Sequence, residues 1–469
     1  MSDHDTGGMP SHDKIHIGQS SGWRRLPVIF GVVGVGGLGA GFATMGAHPA
    51  DFWFAYLVSL MFWFAPGFGG MFFVLVQHAT RAGWSTAVRR IAENAMLTLP
   101  VTGLLALVLV LLGAHDLYHW THLDDPAVLN DPILTAKRGY LNEGFLRTRM
   151  VVYIGVWSVV ALLYWTWSTK QDTARDPIGF THKMRWTAPL GIAGFALTLT
   201  FAVFDLLMSL DPHWFSTVFG VYFFAGCVSF IHSFLALTII LLHRSGYLRG
   251  VVTPEHFHDL GKMMFAFTVF WAYIAFAQYM LIWYASIPEE TEWYSYRGQG
   301  PFLTLSLVLV FARFVFPFLG LMSRRIKRSP KTLAFWAVWI MVAELIDMYW
   351  LIQPVHAHEK GVYEIHVGPS DILTFLGIGG VVLVTPQGEK PYGSLDALTR
   401  EVLGESLPVA ALFDWLHGRP WPGAAHEAQS PGFRQLGWTV DLARFADDTI
   451  VAVREGAPAV TVRVKLDRG

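Results

Sequence analysis

Apolar residues run through most of this chain in long blocks, with neither the alternation of a half-buried strand nor the single stripe of a surface helix. Nine blocks lie near residues 27–46, 52–78, 93–113, 150–168, 187–210, 214–243, 262–286, 301–323 and 332–353. Each holds the roughly 20 residues that span about 30 Å of hydrocarbon as a helix. A tenth, from Asp371 to Val384, would make a helix of about 21 Å and reads as a clipped span. The pattern predicts an all-α polytopic membrane protein with nine or ten transmembrane helices. After Val384 it changes. The stretch from Ser394 reads as an amphipathic helix capped by that serine, and Gly418 to Gly423 as a Pro/Gly break. Alternation with turn signals at Asp447, Asp448 and Gly456 then predicts short antiparallel strands. The expected division is a disordered polar tail at 1–22, a membrane domain at 23–384 and a small soluble α+β fragment at 385–469.

Composition sharpens this picture. The chain is 53% hydrophobic and only 15% charged, with 19 Trp, 35 Phe and 15 Tyr, the profile of a membrane protein. A net charge of -1 gives no electrostatic basis for binding nucleic acid. The single cysteine, Cys227, rules out an internal disulfide, a thiolate iron–sulfur site and CxxCH haem attachment. Whatever chemistry the chain takes part in lacks those covalently held groups.

Basic residues orient the spans, because Lys and Arg are retained on the cytoplasmic side. The N-terminal tail and the loops after the second, fourth, sixth and eighth spans hold 18 of them, and the alternate loops hold 6. The expectation is a cytoplasmic N-terminus in a bacterial inner membrane. The acids Glu289 and Glu290, the segment with Asp211 and His213, and the histidines after the ninth span then face outward. Asp51 with Trp53 and Asp211 with Trp214, four spans apart, hint at a parallel repeat of two four-helix bundles.

Ionisable groups within spans are costly and mark either a pathway or a structural pair. They are His78, Glu93, Asp205, His232, Arg313, Glu344 and Asp347. Arg313 and Glu344 lie at depths where they could meet, as a docking ion pair or as a link in a proton relay. Asp205, with Asp211 and His213 just beyond, could accept protons from a reduced quinone at the interface, or could serve as an interfacial cap. Gln278, Tyr279, Trp283 and Tyr284 share the last turns of one helix and could line a slot for a quinone head. The same aromatics also suit interface anchoring. No definite metal site is read from the histidines.

Five stretches in order, "RRIAEN", "AKRGYLNEGFLRTRMVVYIGVW", "DLLMSLDPHWFSTVFGVYFFAG", "HDLGKMMFAFTVFWAYIAFAQYMLIWYASIPEETEWY" and "PFLGLMSRRIKR", resemble the smaller NrfD-like membrane subunit of alternative complex III. That bacterial quinol:cytochrome c oxidoreductase contains a larger NrfD-like subunit and periplasmic haem c and iron–sulfur subunits, and can associate with a terminal oxidase. The resemblance, over about residues 20–380, implies two four-helix bundles, haem and iron–sulfur only in the partners, and a proton-path or scaffold role without catalysis by the subunit alone. It places proton-path candidates at Asp205, Asp211, Glu289, Glu290, Glu344 and Asp347. The C-terminal stretches "SLDALTREVLGESLPVAALFDWLHGRPWPG" and "LGWTVDLARFADD" resemble the carboxyl half of the outer-membrane lipoprotein receptor LolB. That likeness implies half of an open β-barrel that holds acyl chains, joined near Gly380 as in a fusion. A secondary transporter is the alternative from a different class.

Overall fold

The computed structural model describes residues 22–46, 48–174, 176–248, 250–384, 414–415, 418–422, 424–443, 445, 449–454 and 460–465. The polar tail at 1–21, the Ser394 helix and the turns at Asp447, Asp448 and Gly456 lie outside the described residues. The chain divides into two compact units, one helical and one built on a sheet.

Among the described residues the first unit has ten apolar helices of ten or more residues. Nine are long enough to cross a membrane: α1 Leu26–Thr44, α2 Pro49–Ala79, α3 Thr86–Leu112, α4 Glu143–Gln171, α5 Pro177–Leu210, α6 Phe219–Arg244, α7 Pro254–Ala285, α8 Gly300–Met322 and α9 Pro330–Lys360. The tenth, α10, is the shorter Pro369–Val384. Several helices outrun the apolar blocks that announced them. α9 passes Pro354 and continues to Lys360, although a proline removes one helical hydrogen bond and pushes off the carbonyl four residues back. The compensation comes from Arg297, fully buried in the connection between α7 and α8. Its Nη2 donates to the Leu351 carbonyl at 2.7 Å and its Nε to the Trp350 carbonyl at 3.3 Å.

α2 and α6 form the axis of this unit. Nearly nine-tenths of α2's most apolar stretch and about seven-tenths of α6's are buried inside the protein, whereas α1, α4, α7 and α8 bury less than a third of theirs. α2 packs on α3, α6, α9 and α10, and α6 packs on α2, α7 and α9. Asp51 and Trp53 lie at the start of α2 and Asp211 and Trp214 just before α6, and both tryptophans are buried. α1 and α10 approach backbone to backbone through glycines. A Cβ on Gly34 would stand 2.6 Å from the Val381 nitrogen, and one on Gly377 2.6 Å from the Leu38 nitrogen. Only glycine permits that closeness, which explains how so short a helix as α10 is held.

α7 ends at Ser286, whose backbone is left-handed (φ 50°), and Pro288 then opens a short helix, Pro288–Ser295. Glu289 and Glu290 occupy its first turn, where the unpaired N–H groups favour negative charge. The proline-bracketed acids thus have a local structural reason.

The second unit is a five-stranded antiparallel meander, β1 His426–Gln429, β2 Gly432–Gln435, β3 Trp438–Asp441, β4 Thr449–Arg454 and β5 Val460–Lys465, in sequential order. Leu436 and Gly437, both at positive φ, form the two-residue turn between β2 and β3. Trp415, Phe433, Trp438 and Val440 are buried. Among them Gln435 satisfies its whole amide: Oε1 accepts from the Trp415 indole (2.8 Å) and the Trp421 backbone (2.9 Å), and Nε2 donates to the Trp421 and Ala424 carbonyls (2.7 Å each).

Candidate functional site

The deepest polar group in the helical unit is assembled by α6, α7, α8 and α9. α8 loosens into a π turn over Val310–Val315. In this register Phe316 N–H binds the Phe311 carbonyl, Pro317 has no N–H to give the next one, and the Ala312 carbonyl accepts instead from the Trp339 indole at 2.6 Å. The turn directs Arg313, only 5% exposed, at α9. There it forms an ion pair with Glu344, and its Nη1 stands 3.5 Å from Asp347 Oδ2. Both carboxylates are fully buried. The Tyr222 hydroxyl of α6 donates to Asp347 Oδ1 at 2.6 Å, and the guanidinium lies 4.5 Å from the Trp271 ring centre of α7. Gly226, one turn on from Tyr222, leaves the room required, because a Cβ there would stand 2.5 Å from Glu344 Oε1. Sequence depth alone placed Arg313 and Glu344 within reach, and they do meet. Tyr222, Trp271 and Gly226 were missed; a hydroxyl, an indole and a glycine in apolar helices carry no separate signal.

Asp205 is held elsewhere. Arg149 of α4 grips it through Nε to Oδ2 at 2.9 Å and Nη2 to Oδ1 at 2.8 Å, and the Tyr153 hydroxyl adds a third bond at 2.9 Å. Arg149 is itself stacked on Tyr140 and Phe145. The expected Asp205, Asp211 and His213 group is therefore not formed, because Arg149 already occupies both oxygens of Asp205. His213 Nε2 instead meets Asp131 Oδ2 at 2.6 Å, and Asp211 accepts from the Tyr296 hydroxyl at 2.9 Å. The His213 hydrogen bond, with the Leu134 and Ile133 N–H groups, holds the Asp131 carboxyl below its ordinary range.

Asp211 and His213 line a cavity of about 480 Å³ at one end of the helices. The connection after α3 contributes His115, Asp116, His119 and His122; the helix after α7 contributes Glu292; the end of α9 contributes His358 and Glu359. No Lys or Arg lines it. Loops that the span count assigned to one face thus share one cavity. Glu292 lines it, while Glu289 is exposed and Glu290 half-buried. Beside it, burial pushes the Tyr296 phenol above its usual range.

The four proposed quinone contacts are not gathered into a slot. Gln278 is buried, accepting from Ser216 Oγ at 3.0 Å and donating to the Tyr294 hydroxyl at 3.1 Å. Tyr279 meets Tyr294 edge to face, whereas Trp283 and Tyr284 are 66% and 83% exposed. Their side chains leave the helix away from Gln278, as interface anchors do.

Toward the opposite end, Glu93 accepts from Ser168 Oγ at 2.7 Å and lies 3.5 Å from Arg90 Nε. His78 is buried near Tyr164. His232 is a core histidine, its Nδ1 2.7 Å from the Val228 carbonyl and its ring between Phe73 and Phe267. Among the described residues no group of three or more His, Cys, Asp or Glu is arranged to hold a metal ion.

The C-terminal part is similar to known proteins. The family described as "LolB: Outer membrane lipoprotein LolB" matches residues 375–467, which begins inside α10 and includes all five strands. Similar proteins are outer-membrane lipoprotein LolB of Ralstonia nicotianae, 38% identical over 96 residues (19% of this chain, 44% of the relative), and of Cupriavidus pinatubonensis, 40% over 86 residues (15% and 42%). LolB of Cupriavidus necator is 31% identical over 109 residues (19% and 55%). The chain spans about half the length of these relatives, and its C-terminal region is similar to LolB while the helices α1 to α9 lie outside the match.

Proposed function

We propose that the helical unit is a membrane subunit of a quinol-oxidising respiratory assembly and that it handles protons through the Arg313, Glu344 and Asp347 cluster. The observation that supports this reading is a charged triad, buried where four helices meet, in a protein whose spans are mostly apolar. Such groups cost free energy that a purely structural contact could avoid, since well-packed apolar residues are often as stable as a buried ion pair. In this reading quinol docks near the acid- and histidine-lined cavity, which takes up released protons. Haem c and iron–sulfur clusters reside in periplasmic partners beside a larger NrfD-like subunit, a terminal oxidase accepts the electrons, and the N-terminus faces the cytoplasm. The sequence resemblance favours this over a secondary transporter. Purifying the full tagged chain from membranes tests it: haem-bearing partners should copurify, whereas substrate uptake by the chain alone in liposomes would favour transport.

A second reading has the family comparison behind it. The C-terminal sheet, similar to LolB, is half of a lipoprotein-binding fold, and its buried face would meet acyl chains. Binding of an acylated lipoprotein by the full chain, lost on deleting residues 385–469, would favour this reading.

A further inference from the structure

Four polar atoms in the central cluster make no hydrogen bond: Arg313 Nη1, Trp271 Nε1, Glu344 Oε1 and Asp347 Oδ2. All four belong to residues that are at least nine-tenths buried. They also surround one another. Arg313 Nη1 is 3.5 Å from Asp347 Oδ2, its Nη2 pairs with the other oxygen of Glu344, and the guanidinium stacks on Trp271. Two are donors and two are acceptors, the complement of a single water molecule, which accepts two hydrogen bonds and donates two.

The charges do not cancel either. The ionisable groups that face this point are Tyr222 and Cys227 from α6, Arg313 from α8, and Glu344 and Asp347 from α9. One guanidinium against two carboxylates leaves one negative charge in excess where the surroundings are apolar, and a buried charge without a partner is strongly unfavourable. A metal cation would neutralise it but would face two N–H donors. A water oxygen suits those donors.

We propose that the Arg313, Glu344, Asp347 and Trp271 cluster is a binding site for one water molecule together with one excess proton, shared between the water and the two carboxylates. The transfer is a simple exchange, hydronium and carboxylate giving water and carboxylic acid. This deepens the proton-handling reading and rests on it for its use, though the site itself can be tested apart from any transport.

Infrared difference spectroscopy on the full chain in lipid nanodiscs tests the site at neutral pH. The expected result is a protonated-carboxyl C=O band that shifts in D2O and is lost in Glu344→Gln or Asp347→Asn, together with an O–H band that shifts with H2 18O. Trp271→Phe, which keeps every charge, should move the O–H band and leave the C=O band in place; it serves if the carboxylate variants do not fold. Absence of both bands, or their removal by sodium chloride at constant pH, would overturn the proposal. Both bands present, with proton yield of the copurified assembly unchanged in the carboxylate variants, would uphold the site and sink the transport reading alone.

Discussion

Arg149 holds Asp205 by two parallel hydrogen bonds, Nε to Oδ2 at 2.9 Å and Nη2 to Oδ1 at 2.8 Å, and the Tyr153 hydroxyl adds a third to Oδ2. Asp205→Asn would strand the guanidinium in a buried position and should cost about 3–5 kcal/mol. Thermal unfolding of the purified chain in detergent checks this. A large fall in Tm is expected, whereas an unchanged Tm with slowed turnover would make Asp205 a proton carrier instead.

Pro354 and Arg297 form a comparable pair. The proline frees the Trp350 carbonyl, and Arg297, whose guanidinium also stacks 3.3 Å from the Trp293 ring centre, binds it together with the neighbouring Leu351 carbonyl. Arg297→Lys keeps the charge but loses the fork, leaving at least one buried carbonyl unpaired at about 1–3 kcal/mol. Its Tm should fall, and Pro354→Ala in the same background should recover part of the loss.

Gly226 faces the ion pair so closely that an added methyl would stand 2.5 Å from Glu344 Oε1 and 2.9 Å from Arg313 Nη2. Gly226→Ala should force that pair apart at about 1–3 kcal/mol. Lower stability with a changed proton yield is expected, and a variant indistinguishable from the parent would show that the cluster has slack.

At the cavity rim, Asp131 is a half-buried group whose carboxyl is held below the ordinary range by His213. A depressed carboxylate contributes stability above its unfolded pKa, about 3.9, and loses it as pH falls through the lower folded value. Hydrogen exchange in the loop after α3 should therefore be flat from neutral pH down to about 5 and rise only below about 4. Asp131→Asn should show the raised exchange, corrected for intrinsic rates, at every pH.

The helices were legible because apolar blocks of this length have one solution in hydrocarbon, and the antiparallel strands followed from alternation. Helix ends were not legible, since the passage of α9 beyond Pro354 depends on Arg297, fifty-seven residues earlier in the chain. The Arg313 to Glu344 contact could be read from depth alone. The Asp205 group could not, although a clue was present: Arg149 is one of the few basic residues on the minority side of the Lys/Arg count, and Arg297 and Lys360 are others. Both arginines are buried against named partners, and Lys360 meets Asp51. These three exceptions to the charge rule mark structural contacts.

The most direct test of the central claim is the number of protons released per electron by the assembly that copurifies with the full chain, reconstituted in liposomes, with Glu344→Gln and Asp347→Asn compared to the parent. A fall in proton yield in both variants, with subunit composition intact, is the predicted result. Parental yield in both would reduce the Arg313, Glu344 and Asp347 cluster to a device for docking helices.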